Sequence, residues 1–171
     1  MALLLMLVGF GLLFVVNRLA DSSKGLLAIF GFTGVMGAAL GPMLSHYLAM
    51  PGGPALVLQA LGGTAVVFFG LSAYALTTRR DFSFLGGFLM VGLIVALVAM
   101  VANLFMGIPA LSLTISAAVV MIMSGLILFD TSRIVNGGET NYIRATVGLY
   151  LNVYNLFVHL LSLLTALGGD D

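Results

Sequence analysis

The sequence predicts an all-α polytopic membrane helix bundle with six spans, and three observations predict it. Hydrophobic residues fill 61% of the 171 positions and charged residues only 7%, against roughly 25% charged in an average soluble domain. Apolar runs near 20 residues recur along the whole chain, each long enough to cross a hydrocarbon core of about 30 Å. The connections RLADSSKG, MPGGP, TRRDFS, MGIPA and TSRIVNGGETN are short. Each helix must therefore run antiparallel to the one before it, and no soluble domain fits between spans.

The spans are placed at about 2–17, 26–49, 55–77, 84–105, 111–130 and 142–168, within a single transmembrane domain covering 1–171. The opening MALLLMLVGFGLLFVVN lacks a basic leader and an A-x-A-like cleavage site. It reads as a first span, not a signal peptide.

The second span carries Gly31, Gly34, Gly37 and Gly41 at spacings of 3, 3 and 4, followed at once by Pro42. Small residues on one face let helix backbones approach closely in lipid, and the proline removes a backbone hydrogen bond. Two readings stand for Gly34, Gly37, Gly41 and Pro42: close packing with a bend, or a hinge. Gly62 and Gly63 in the third span, and Gly86 and Gly87 in the fourth, are expected to mark close helix contacts as well.

The fifth span, ISAAVVMIMSGLILF, ends on Asp130. An acid at membrane depth is costly and is a functional candidate by default. The competing reading is structural: Arg133 lies three residues on, and an i,i+3 pair at the interface would hold the carboxylate.

The sixth span holds YLNVYNLFVHLLSLL, with Asn152, Asn155, His159 and Ser162 spaced 3, 4 and 3 apart. On a helix the four share one face. The amides and the serine can satisfy themselves by hydrogen bonds across helices. His159 reads as a hydrogen-bonded packing residue or as a relay. The stripe requires protein on at least one side of this helix, and a place inside the bundle is the simplest account. His46, beside Tyr47 near the end of the second span, reads as interfacial.

Arg18 and Lys24 lie in the first loop, Arg79 and Arg80 in the third, Arg133 in the fifth, and Arg144 just inside the last span; the second and fourth loops carry no charge. The positive-inside rule then puts the odd loops, including 131–141, in the cytoplasm and both chain ends outside. The acidic tail, Asp170 and Asp171, adds little to that assignment. An outside N-terminus without a leading segment leads to the expectation of one more helix ahead of residue 1.

Several functions are excluded. There is no cysteine and the net charge is zero, so disulfides, cysteine metal sites and an electrostatic nucleic-acid surface are not expected. No Ser/His/Asp order, HExxH, P-loop or nucleotide fingerprint appears. We expect no enzyme and no cofactor.

The passages GPMLSHYL (41–48), GGTAVVFFGLSAYALTTRRDFSFLGGFLM (62–90) and LILFDTSRIVNGGETNYIRATVGLYLNVYNLF (126–157) are specific. Through them the whole chain resembles the Bax inhibitor family, in its bacterial YccA-like branch. The resemblance implies seven helices with the last one central, the first lying ahead of this sequence, in a bacterial inner membrane. It also implies a partner: members of that branch bind the membrane AAA protease FtsH, using an N-terminal segment that precedes residue 1 here, and restrain its degradation of membrane proteins. Other members are pH-sensitive leaks, with Ca²⁺ as the transported ion, closed by two Asp residues that share a proton. Carried over by position, the first falls on Asp130 and the second on Asn152. One carboxylate cannot repel itself, so the two-acid sensor is degenerate here. The implied function is a regulator of FtsH; the alternative is a calcium leak with an Asp–Asn sensor.

Overall fold

The computed structural model describes residues 2–168; Asp170 and Asp171 lie outside them. Six α-helices follow in order: α1 (Ala2–Leu19), α2 (Gly25–Leu48), α3 (Gly53–Thr78), α4 (Leu85–Met106), α5 (Pro109–Val135) and α6 (Tyr142–Gly168). The five helices α2 to α6 are each long and apolar enough to cross a membrane, and α1 contains a shorter apolar stretch, Leu7–Leu19. The chain is an all-α polytopic membrane bundle.

Proline and glycine set the turns. Gly52 (φ 70°) precedes α3, which carries a proline in its first turn. Gly107 (φ 63°) ends α4 and sends its N–H to the Asn103 carbonyl at 2.8 Å, and Pro109 opens α5. Each residue does what its backbone favours: glycine takes the left-handed region, and proline starts a helix where its missing N–H costs nothing.

Helix α6 packs against α1, α2, α3 and α5, while α4 leans on α5. Three apolar clusters build the interior. Val16, Ile29, Phe32, Ile143 and Val147 join α1, α2 and α6. Ala96, Val119, Met123, Ile127 and Leu156 join α4, α5 and α6. Ala60, Phe157 and Leu161 join α3 to α6, with Leu40 and Leu44 of α2 against them. The last helix contributes to every cluster, which is what a polar-striped helix in lipid requires.

The glycines divide. A methyl built at Gly63 would come within 2.8 Å of Leu160, and one at Gly86 within 2.9 Å of the Phe129 ring, so those two mark close approach. Gly62 and Gly87 meet nothing within 4 Å. Among the described residues nothing packs on the α2 stripe: Gly31, Gly34, Gly37 and Gly41 also meet nothing within 4 Å and lie exposed. Helix α2 turns Ile29, Phe32 and Ala39 inward, and these stand on another side from the glycines. Pro42 sits inside a helix that continues unbroken to Leu48.

Candidate functional site

The polar residues gather at one end. All six Lys and Arg side chains belong to the loops 20–24 and 79–84, the α5–α6 turn, or the helix residues beside them. Just below this basic end, α5 and α6 meet through a side-chain hydrogen bond. Asn152 Nδ2 donates to Asp130 Oδ2 at 2.7 Å. Asn152 is buried, with 7% of its surface exposed. One turn earlier on α6, Gly148 leaves room for the carboxylate: a Cβ there would stand 3.3 Å from Asp130 Oδ2. Above the pair lies a small polar cavity of about 150 Å³, walled by Asp130, Arg133, Glu139, Arg144 and Gly148. Among the described residues, no three His, Asp or Glu side chains are gathered as a metal site.

Arg133 does not reach Asp130 as the i,i+3 spacing suggested. Its Nη2 donates to the Gly138 carbonyl at 3.3 Å, and its guanidinium lies 5.5 Å over the Phe129 ring. The cause is the end of α5. Gly138 N–H bonds the Arg133 carbonyl at 2.7 Å and Gly137 N–H the Ile134 carbonyl at 3.4 Å, with Gly137 at φ 77°. This is a Schellman termination, and it folds the chain back over Arg133. Among the described residues the salt bridge is instead Arg144 to Asp21, at 3.0 Å between exposed side chains.

The α5–α6 turn knits the basic end together. Ser132, buried at 1% exposure, donates to the Arg80 carbonyl at 2.9 Å and accepts from Phe82 N–H at 3.1 Å. Asn136 adds a second bond to the Arg80 carbonyl at 3.2 Å. On the other side, Asn141 caps α6: its Oδ1 accepts from the N–H groups of Ile143 and Arg144 at 3.0 and 3.1 Å. Its Nδ2 donates to the Ala20 carbonyl at 3.0 Å and to Asp21 at 2.8 Å. One turn thus holds both neighbouring loops. Within the 79–84 loop the Ser83 hydroxyl and backbone N–H both bond Asp81 and hold its carboxyl below its ordinary value.

The α6 stripe is served unevenly. Asn152 meets Asp130, and His159 Nδ1 meets Ser116 Oγ of α5 at 3.1 Å. Asn155 turns back to the Leu151 carbonyl of its own helix at 2.8 Å. No side-chain hydrogen bond of Ser162 is present among the described residues. The expectation of cross-helix bonds therefore holds for Asn152 but not for Asn155 or Ser162. Helix carbonyls one turn back compete for such groups.

Gly148, Ser132, Asn136 and Asn141 were not singled out in the sequence. An N-cap signal before α6 was available at Asn141. Nothing local marks Ser132 or Gly148, whose partners lie 52 and 18 residues away.

A family model described as "Inhibitor of apoptosis-promoting Bax1" matches residues 1–169. The chain belongs to the Bax inhibitor family. Within that family it is similar to the "Modulator of FtsH protease YccA" of Escherichia coli strain K12. That protein is 56% identical over 163 residues, or 95% of this chain and 74% of the relative. The "Inner membrane protein YccA" of E. coli O6:H1 matches with the same identity and coverage. A membrane protein of Vibrio cholerae is 52% identical over 171 residues, covering 99% of this chain and 77% of its own length. This Bax inhibitor family member is therefore a YccA homologue and a multi-pass inner-membrane protein.

Proposed function

We propose that the protein is a non-enzymatic modulator that binds the membrane protease FtsH and restrains it. The observation that carries this reading is the 56% identity to a protein named for modulating FtsH, sustained over 95% of the chain. The structural support is the basic end. Three loops there are tied to one another by Ser132, Asn136, Asn141 and the Arg144–Asp21 pair. A braced surface of this kind presents a fixed shape to a partner without paying ordering entropy on binding. We place this end in the cytoplasm, because the six basic residues gather there and Lys and Arg set orientation.

Asp130, Asn152 and Arg133 act in this reading as the joint between the last two helices and their turn. The site test is co-purification of FtsH with the tagged protein from bacterial membranes. Decay of a membrane substrate of the protease is followed with and without the protein. Binding with slower decay is expected; the absence of both would overturn the proposal.

A second reading, a cation leak, draws on the polar cavity above Asp130. It is the weaker of the two. Asn152 stands at hydrogen-bonding distance from Asp130, where a proton-sharing sensor needs a second carboxylate. Proteoliposomes decide it: no Ca²⁺ flux above empty liposomes removes the leak, whereas flux altered by Asp130→Asn would establish it.

A further inference from the structure

A cleft of about 520 Å³ lies between α3 and α6 and opens sideways. Ala65, Phe68 and Phe69 form one wall, and Leu149, Tyr150 and Val153 the other. Leu61 and Phe69 at the lip are 52% and 67% exposed. From this cleft and the charges above it, we infer a binding site for an anionic phospholipid of the basic-side leaflet.

Depth comes first. On α6 the cleft runs from Thr146 to Val153, about 6 to 17 Å along the helix from its start at Tyr142. On α3 the cleft runs from Phe69 back to Leu61, ten to eighteen residues before Arg79, about 15 to 27 Å along the helix. One leaflet of hydrocarbon is about 15 Å deep, half of the full core. The cleft therefore begins in the leaflet adjoining the basic end and runs on past the midplane, and an acyl chain from a headgroup there reaches its α6 wall along Thr146 to Val153.

The lining chemistry selects a hydrocarbon occupant. Its polar side chains are already satisfied: Thr64 bonds the Ala60 carbonyl at 2.7 Å, Thr146 the Tyr142 carbonyl at 2.7 Å, and Tyr150 the Thr33 carbonyl at 3.3 Å. A polar helix gains no hydrogen bond here, and water finds too few partners. An acyl chain asks for none.

Charge selects the headgroup. Among the described residues the salt bridge uses Arg144, which leaves Arg79, Arg80 and Lys24 exposed without a carboxylate within 4 Å. These three flank the ends of α2 and α3, on the side of the membrane where the cleft lies. Arg79 closes α3 in the left-handed region at φ 50°, a conformation uncommon outside glycine. The opposite end carries no Lys or Arg. A second copy of this chain in the same orientation would set these cations against its own. A phosphate-bearing lipid neutralises them.

The test is native mass spectrometry of the intact protein released from micelles holding equal amounts of phosphatidylglycerol and phosphatidylethanolamine. The wild-type protein should retain phosphatidylglycerol by roughly thirtyfold to a hundredfold over the neutral-headgroup lipid, given two or three basic contacts. Ala65→Leu fills the cleft from an exposed helix position and should lose the retained lipid while keeping its melting temperature. The double variant Arg79→Gln, Arg80→Gln should retain a lipid but lose the preference. Equal lipid retention by Ala65→Leu and wild type overturns the site. A wild type without preference, or a double variant that keeps it, overturns the anionic assignment.

Discussion

Asn152 of α6 donates a 2.7 Å hydrogen bond to Asp130 of α5, and Gly148 one turn away leaves the space in which that carboxylate lies. The last two helices are thus joined inside the bundle by one amide and one acid.

Asn152→Leu should lower stability by about 1 kcal/mol, because the half-buried carboxyl keeps its position and loses its donor. Thermal unfolding in detergent reads this directly. The double variant Asn152→Leu, Asp130→Leu should recover part of the loss.

Asn152→Asp sets two carboxylates in hydrogen-bonding contact. Repulsion should destabilise this variant near neutral pH, and acidification should restore stability as the pair takes up one shared proton. A melting temperature that follows the wild-type pH profile would show that the two positions are not neighbours.

The glycines give different predictions from one residue type. Gly63→Ala places a methyl 2.8 Å from a terminal methyl of Leu160, which must shift, so this variant should be less favourable than Gly34→Ala. Gly34→Ala meets nothing within 4 Å and should be neutral or stabilising by up to about 1 kcal/mol through helix propensity. Equal effects would mean that α2 buries its glycine stripe after all.

Ser132→Ala removes both a donor to the Arg80 carbonyl and the acceptor of Phe82 N–H. The 79–84 loop should loosen, and trypsin should cut after Arg79 or Arg80 several times faster than in wild type.

Asp81 is held below its ordinary value by Ser83. A depressed carboxyl stabilises above its unfolded pKa, and that contribution vanishes as pH falls through the lower folded value. Ser83→Ala should therefore raise the Asp81 midpoint, seen by carboxyl NMR, without adding pH dependence near neutrality.

Much of the architecture was legible because it is local. Hydrophobic runs, Gly–Pro turns and the 3, 4, 3 spacing from Asn152 to Ser162 depend only on residues near one another in the chain. They define helices, loops and the polar face of α6. Gly34, Gly37 and Gly41 mislead by the same method: spacing says they share a face but not what covers it. Arg133 misleads too, since a helical i,i+3 partner is outcompeted when Gly137 turns the chain back and offers the Gly138 carbonyl.

Composition and periodicity by themselves determined an all-α membrane bundle, the gathering of cations at alternate loops, and a polar last helix that needs protein around it. Only the tertiary structure decided that Asp130 meets Asn152 rather than Arg133, that Ser132 anchors a loop 52 residues away, and that the α2 glycines face away from the other described helices. The physical reason is that a sequence period specifies the face of one helix. Contacts between helices depend on their relative rotation and shift, which the packing of the whole bundle sets.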